Sequence, residues 1–280
     1  MSELEQLRSE LKDEIAGMFS ALAESARDQL VRVASLSEFF TRQMRRDPSM
    51  VIDLFDSGDM DRTYDDVGPD VPMLEPDSLD SALRRIRNRE MVRVIYRDLT
   101  RTADLEETTR DLSNLADTLI DAALTVHHRR FSERFGDPIG STSGASQQMS
   151  VLALGKLGAR ELNLSSDIDL VFLFGEEGET EGDRDISNSE FFTRVARDVI
   201  TSLDDVTDDG FVFRVDMRLR PYGDSGALIL NRNAMEKYYV GQGRDWERYA
   251  FIKARACAGN IEQGESIPAL VDALCLSQTS

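Results

Sequence analysis

The residues best suited to chemistry lie in VLALGKLGARELNLSSDIDLVFLF, residues 151–174. Asp167 and Asp169 are two positions apart, so on a β-strand they project from one face while Ile168 and Leu170 turn into apolar packing. Two carboxylates on one face repel each other and call for a positive partner. A hard divalent cation with oxygen ligands, such as Mg2+, meets that need, with a phosphate completing its coordination. Taken alone, the pair also fits an exposed strand face at a loop exit. Upstream, Gly155, Lys156 and Gly158 follow an apolar strand, and Ser165 and Ser166 directly precede the acidic pair. Glycines let backbone approach a phosphate closely, and Lys156 and the two hydroxyls can donate hydrogen bonds to it. The spacing differs from a Walker A loop, which needs Gly-x4-Gly-Lys-Ser/Thr.

A further acid sits in FVFRVDMRLRP, residues 211–221. Alternation predicts a strand from Phe211 to Leu219, with Phe213, Val215, Met217 and Leu219 on one face and Arg214, Asp216, Arg218 and Arg220 on the other. An acid framed by arginines can act as a third metal carboxylate beside phosphate-binding cations, the parts that phosphoryl or nucleotidyl transfer requires. A solvated strand face balanced by ion pairs would use the same residues differently. Downstream, GQGRDWERYAFIKARACAG holds the only tryptophan, Trp246. At helical spacing Arg244 and Arg248 share a face, with Trp246 and Tyr249 close by. Such a helix can offer cations to phosphate or a partner, or pack its tryptophan into a core.

These residues need elements to hold them. The first 135 or so residues read as helices. Leu4, Leu7, Leu11 and Ile15 form one stripe, and Ser35–Arg46 is a second candidate. Asp53–Pro76 reads as a loop rich in Asp, Gly and Pro. A third helix opens at Pro76 with Asp77 as its cap and buries Leu79, Leu83, Ile86, Val94 and Ile95. A fourth begins near Asp104, where Leu105, Leu112, Leu119 and Val126 recur every seven residues, a bundle face or a coiled-coil seam. Composition shifts at GDPIGSTSGASQQ, residues 136–148, and a domain boundary is expected there. Beyond it come strands at Met149–Leu154 and Ile168–Phe174, a helix over Asn188–Leu203, and the Phe211–Leu219 strand. Strands mixed with helices imply an α/β or α+β unit.

Charge and cysteine content set limits. With 33 Lys and Arg against 52 Asp and Glu, the chain carries a formal charge of −19. It has no basic block to release phosphate counterions, so nucleic-acid binding is not expected. Cys257 and Cys275 lack paired zinc-ligand spacing, and a reduced cytoplasmic protein is the simplest reading. The start, MSELEQLRSELKDEIAG, has no apolar signal-peptide core, and no run of apolar residues is long enough to span a membrane.

Together, GKLGARELNLSSDIDLVF, FRVDMRLRPYGDSGAL and GQGRDWERYAFIKAR closely resemble motifs of the bacterial glutamine synthetase adenylyltransferase family, whose members are bifunctional adenylyl-transferring and adenylyl-removing enzymes. The resemblance continues through LRRIRNREMVRVIYRDL and ADLEETTRDLSNLAD and covers most of residues 35–260. It implies an α+β chain: an N-terminal helical region over 1–140, a polymerase-β-like nucleotidyltransferase domain with a mixed sheet over 141–262, and a truncated or divergent tail over 263–280. Such enzymes carry two nucleotidyltransferase domains, and the single copy here resembles the N-terminal, adenylyl-removing one, the front portion of a longer enzyme. By matched position, Asp167, Asp169 and Asp216 become the catalytic Mg2+ carboxylates. Gly155, Lys156, Ser165, Ser166, Arg214, Arg218 and Arg220 are the residues expected to hold nucleotide or phosphate. Ala159 departs from a second glycine common in the family. The implied reaction is phosphorolysis of adenylylated glutamine synthetase to ADP and active synthetase, in response to nitrogen status, with the PII signal protein as a further partner. An adenylyltransferase or other nucleotidyltransferase acting on a protein acceptor, and a noncatalytic module binding glutamine synthetase or PII, remain the alternatives.

Overall fold

The computed structural model describes residues 3–63, 68–69 and 71–277. Residues 64–67 and 70 of the expected Asp53–Pro76 loop, and the side chain of Leu4, lie outside the described residues. In chain order the helices are α1 (Glu3–Met18), α2 (Glu24–Ala34), α3 (Glu38–Arg46), α4 (Pro48–Asp56), α5 (Leu79–Thr100) and α6 (Leu105–Phe135). Then follow β1 (Pro138–Gly140), β2 (Met149–Leu154), α7 (Gly155–Gly158), β3 (Ile168–Phe174), β4 (Gly178–Thr180), α8 (Asn188–Asp204) and β5 (Val215–Asp216). The chain continues through β6 (Ile229–Asn231), α9 (Arg232–Gly241), α10 (Asp245–Ala250), β7 (Arg255–Gly259) and α11 (Ile261–Ser277). Two compact units form, residues 1–69 with 85–115 and residues 70–84 with 116–280. Their division falls within α5 and α6, whereas the Gly- and Ser-rich stretch expected to separate domains near residue 140 lies inside the second unit, around β1.

The first unit is helical. Ser37 accepts a hydrogen bond from the Phe40 amide at the start of α3, and Asp47 does the same for Met50 at α4, where Pro48 occupies the first helical position. The expected loop therefore begins only after Asp56. Leu11, Ile15, Phe19, Leu30, Val33, Phe40, Met44, Val51 and Leu54 form the core with Val92, Ile95 and Tyr96. The simple stripe expected for α5 fails in its second half, where every residue from Glu90 to Arg97 is buried. Helix α5 starts after a 3-10 turn at Pro76–Ser78 that has no side-chain cap, so Asp77 does not play the expected role. Arg93 lies between Glu90 (2.8 Å) and Asp111 (2.6 Å), and Arg97 pairs with Glu107. Charges this deep are tolerable only when so paired.

The second unit carries the sheet. Its strands run β5-β3-β2-β7, with β2 antiparallel to both neighbours; β5 and β6 both pair parallel with β3. The sheet is thus mixed and the chain α+β. One face packs Leu152, Leu154, Val171 and Leu173 against Met235, Tyr238, Tyr239, Phe251, Ile267 and Val271. Alternation turns Phe174 to the other face, where it stacks on Phe192 of α8 at 5.1 Å. Residues 263–277, expected as a tail, belong to α11 and contribute Ile267 and Val271 to this core. Leu112, Leu115, Leu119 and Val126 of α6 are buried within the chain, as an intramolecular packing stripe requires, although Leu105 is exposed. Cys257 is buried and unpaired.

The alternating Phe211–Leu219 pattern does not become one strand. Only Val215 and Asp216 pair with β3, and both Val212 and Phe213 are buried, against strict alternation. The chain turns away after Asp216 because its Oδ1 accepts the Arg218 amide at 2.8 Å and the Arg220 amide bonds Met217 O. A short side chain that captures the backbone two residues on competes directly with a ladder.

Both histidines lie in this unit. His127 meets Ser202 Oγ at 2.9 Å, and His128 packs edge-on against Phe191. Burial holds both imidazoles below the ordinary value of 6.5. As pH falls, the unfolded chain therefore takes up protons before the folded chain does. Stability is expected to be full above pH 6.5 and to decline as pH drops below it toward the folded values. Urea unfolding at pH of about 7.5 and about 5.5 checks this: the loss on acidification should shrink in His128→Phe, and equal losses would contradict it.

Candidate active site

Strand register builds the site. Parallel pairing of β5 with β3 sets Ile168 opposite Val215 and Asp169 opposite Asp216, while antiparallel pairing of β2 sets Leu154 opposite Asp169. The chain leaves β2 at Gly155 with φ +55, a left-handed conformation, and enters the single turn α7. A side chain on Gly155 would run into Asp169 Oδ2. Glycine is favoured here by its backbone angle, and its bare Cα also leaves room for the Asp169 carboxylate. Gly158 has a separate role: a side chain there would strike Lys253 O and Ala153 O.

The three acids have different surroundings. Asp167 is about half exposed and accepts Arg214 Nε at 2.5 Å, while Arg214 also donates to Ser165 O at 2.8 Å. Asp216 is largely buried and accepts Arg218 Nε at 2.9 Å. Hydrogen bonding from the Arg218 side chain holds Asp216 below the usual carboxylate range, against the opposing effect of burial. Asp169 shifts the other way, pushed up by burial first and then by the neighbouring Asp216 charge, with Arg218 partly offsetting both. Arg220 is tied to the turn through Met217 O at 2.6 Å and adds only its longer-range field at Asp216.

The remaining expected residues form an adjoining loop. Asn163, not singled out from the sequence, organises it: its Oδ1 accepts the Ser165 amide at 3.2 Å and Ser166 Oγ at 2.8 Å. Lys156 Nζ donates to Ser166 Oγ at 3.3 Å. The signal was present, since an Asn followed two residues later by serines is a common Asx-turn pattern. Arg244 and Arg248 separate. Arg244 is exposed at the start of α10, while Arg248 is buried and donates to Tyr239 O at 3.0 Å. Trp246 is half exposed and so is not a core residue.

With Asp167 and Asp216 turned to arginines, no group of three His, Cys, Asp or Glu side chains is arranged to hold a metal ion among the described residues. The donor chemistry nevertheless fits a hard divalent cation. Asp169 and Asp216 are registered neighbours whose mutual repulsion a cation relieves, and both paired arginines are long and more than half exposed.

Fold and site define an α+β protein that presents carboxylates and arginines together where β3 meets β5. The sequence model of the glutamate-ammonia ligase adenylyltransferase family matches residues 27–268. The chain belongs to that family. The bifunctional glutamine synthetase adenylyltransferase/adenylyl-removing enzyme of Pseudomonas syringae pv. tomato is 51% identical over 269 residues, covering 92% of this chain and 27% of the relative. Proteins of the same description from Pseudomonas aeruginosa and Nitrosococcus oceani are 49% and 45% identical over 88% and 95% of this chain. These spans are 26% and 29% of the relatives' lengths, so the chain spans roughly a quarter of the curated relatives it matches.

Gly155→Ala should lower the unfolding free energy by about 1–3 kcal/mol through its left-handed backbone alone. Chemical denaturation checks this, and an unchanged midpoint would mean that the turn adapts to a side chain.

Proposed function

We propose that this chain removes AMP from an adenylylated tyrosine of glutamine synthetase by phosphorolysis, giving ADP and the active synthetase. The observation that supports it most is the registration of Asp169 beside Asp216 on parallel strands, with Gly155 against the Asp169 carboxylate. The relatives' names include adenylyl removal. On this reading the second unit is a polymerase-β-like nucleotidyltransferase domain acting in the cytoplasm, with the PII signal protein relaying nitrogen status.

In the reaction, an oxygen of inorganic phosphate bonds to the adenylyl phosphorus as the bond from phosphorus to the tyrosyl oxygen breaks. ADP departs and the tyrosyl oxygen takes a proton. Asp167, Asp169 and Asp216 would hold Mg2+, which when bound supplies charge neutralisation at the reacting phosphorus. Arg214 and Arg218, released from their carboxylates, have the length and exposure to hydrogen-bond phosphate oxygens instead. Ser165 and Ser166, held by the Asn163 turn, and Lys156, which reaches Ser166, add donors, and the Gly155 backbone allows close approach. Catalysis of this kind rests on alignment and charge stabilisation.

A second reading is adenylyl transfer from ATP to a protein acceptor, favoured by the family's description as an adenylyltransferase. One assay separates the two. Adenylylated synthetase, Mg2+ and phosphate incubated with the chain should yield ADP, with a fall on the order of 100-fold or more in Asp167→Asn combined with Asp169→Asn. Absence of ADP from a well-folded sample, or full activity of the double variant, refutes adenylyl removal. Pyrophosphate release from ATP would instead support the second reading.

A further inference from the structure

An aromatic cleft of about 380 Å3 opens in the second unit, lined by Tyr222, Tyr238, Gln242, Arg244 and Trp246 among others. Its volume falls within the range of small-ligand sites. Tyr222 and Trp246 are each 52% exposed, so neither ring serves as core.

The walls are fixed in place. Tyr222 has φ 63, a left-handed conformation that a bulky aromatic residue rarely adopts. Three contacts hold it there: its amide to Tyr238 OH at 3.4 Å, its hydroxyl to Gln242 Oε1 at 2.8 Å, and an edge-to-face contact with the Tyr238 ring at 4.5 Å. Tyr238 in turn donates to Glu247 Oε1 at 2.6 Å, and Glu247 Oε2 accepts the Arg244 amide at 2.7 Å. Strain held by a network at a half-exposed ring is a feature of ligand sites.

One wall of the cleft packs on the sheet face that carries a site carboxylate. Tyr238 packs on the sheet face that carries Leu154, Val171 and Leu173, and alternation along β3 puts Asp169 on that same face. The chain passes from Asp216 through the Arg218 turn to Tyr222 within six residues.

We infer that this cleft is the base-binding subsite for the adenine nucleotide, with Tyr222 and Trp246 stacking on the purine. This rests on the adenylyl-removing reading. With its oxygen engaged by Tyr222, Gln242 retains an amide NH2 to offer, a donor suited to the acceptor nitrogens of adenine. The exposed Arg244 lies at the cleft and supplies a cation for ribose or phosphate oxygens.

Trp246, the only tryptophan, is also the reporter. AMP should bind the full chain and quench its tryptophan emission, while ribose 5-phosphate should bind without the quench. By calorimetry, Trp246→Ala and Tyr222→Ala should each weaken AMP on the order of ten-fold, as loss of a base-stacking ring does, and leave ribose 5-phosphate unchanged. Failure of AMP to bind, or AMP affinity indifferent to both rings, overturns the subsite. So does a Trp246→Ala variant that raises only the KM for the adenylylated protein, which marks a protein-docking patch. Ring-dependent AMP binding in a chain that forms no ADP would leave the subsite standing and refute adenylyl removal; ADP formation with ring-independent AMP affinity would do the reverse.

Discussion

Two carboxylates placed side by side on hydrogen-bonded strands repel one another, and the groups around them answer that repulsion. The register of β5 on β3 allows Asp169 and Asp216 no retreat, because each backbone is held by the ladder and by the packed face beneath. Relief comes from outside the strands. Arg218 folds back over Asp216, Arg214 reaches Asp167, and the bare backbone of Gly155 comes up against Asp169. The result is asymmetric: one carboxylate is paired with a guanidinium and held below the usual range, while its partly buried neighbour is pushed above it.

Much of this was legible in the sequence, for a physical reason. Acid spacing of two on an apolar strand is a local signal, and Ile168–Phe174 became the strand that the pattern implied. Lys156 meets Ser166 because β2 ends beside the start of that strand, which Ser165 and Ser166 precede. What could not be read was the outcome of local competition. The alternation across Phe211–Leu219 resembles a long strand, yet the Asp216 side chain captures the Arg218 amide and ends it after two paired residues. Asp216 still meets Asp169, so the pairing was anticipated while the element that delivers it was not.

The helical part shows a different limit. Apolar periodicity assumes that charges mark the solvent face, and in α5 they do not. Arg93 pairs with Glu90 and Asp111 in the interior, so from Glu90 to Arg97 the helix is buried around its whole circumference. Pairing between distant residues carries no periodic signature. Strand β7 has the same character. Its partly buried Arg255 pairs with Asp117 of α6 at 2.7 Å and bonds Leu157 O at 3.1 Å. Such a residue reads in sequence as surface charge.

The single edge of β3 is shared by two separate short strands, β5 at its start and β6 at its end. Each is anchored by its own pairing, so the residues between Asp216 and Ile229 form an excursion that neither anchor needs. Its first residues are nevertheless tied back to the sheet, through Arg218 on Asp216 and Tyr222 on Tyr238. A change at the tip of the excursion is therefore transmitted to the acids only through these two ties, and the alignment of β5 and β6 on β3 is unaffected by it.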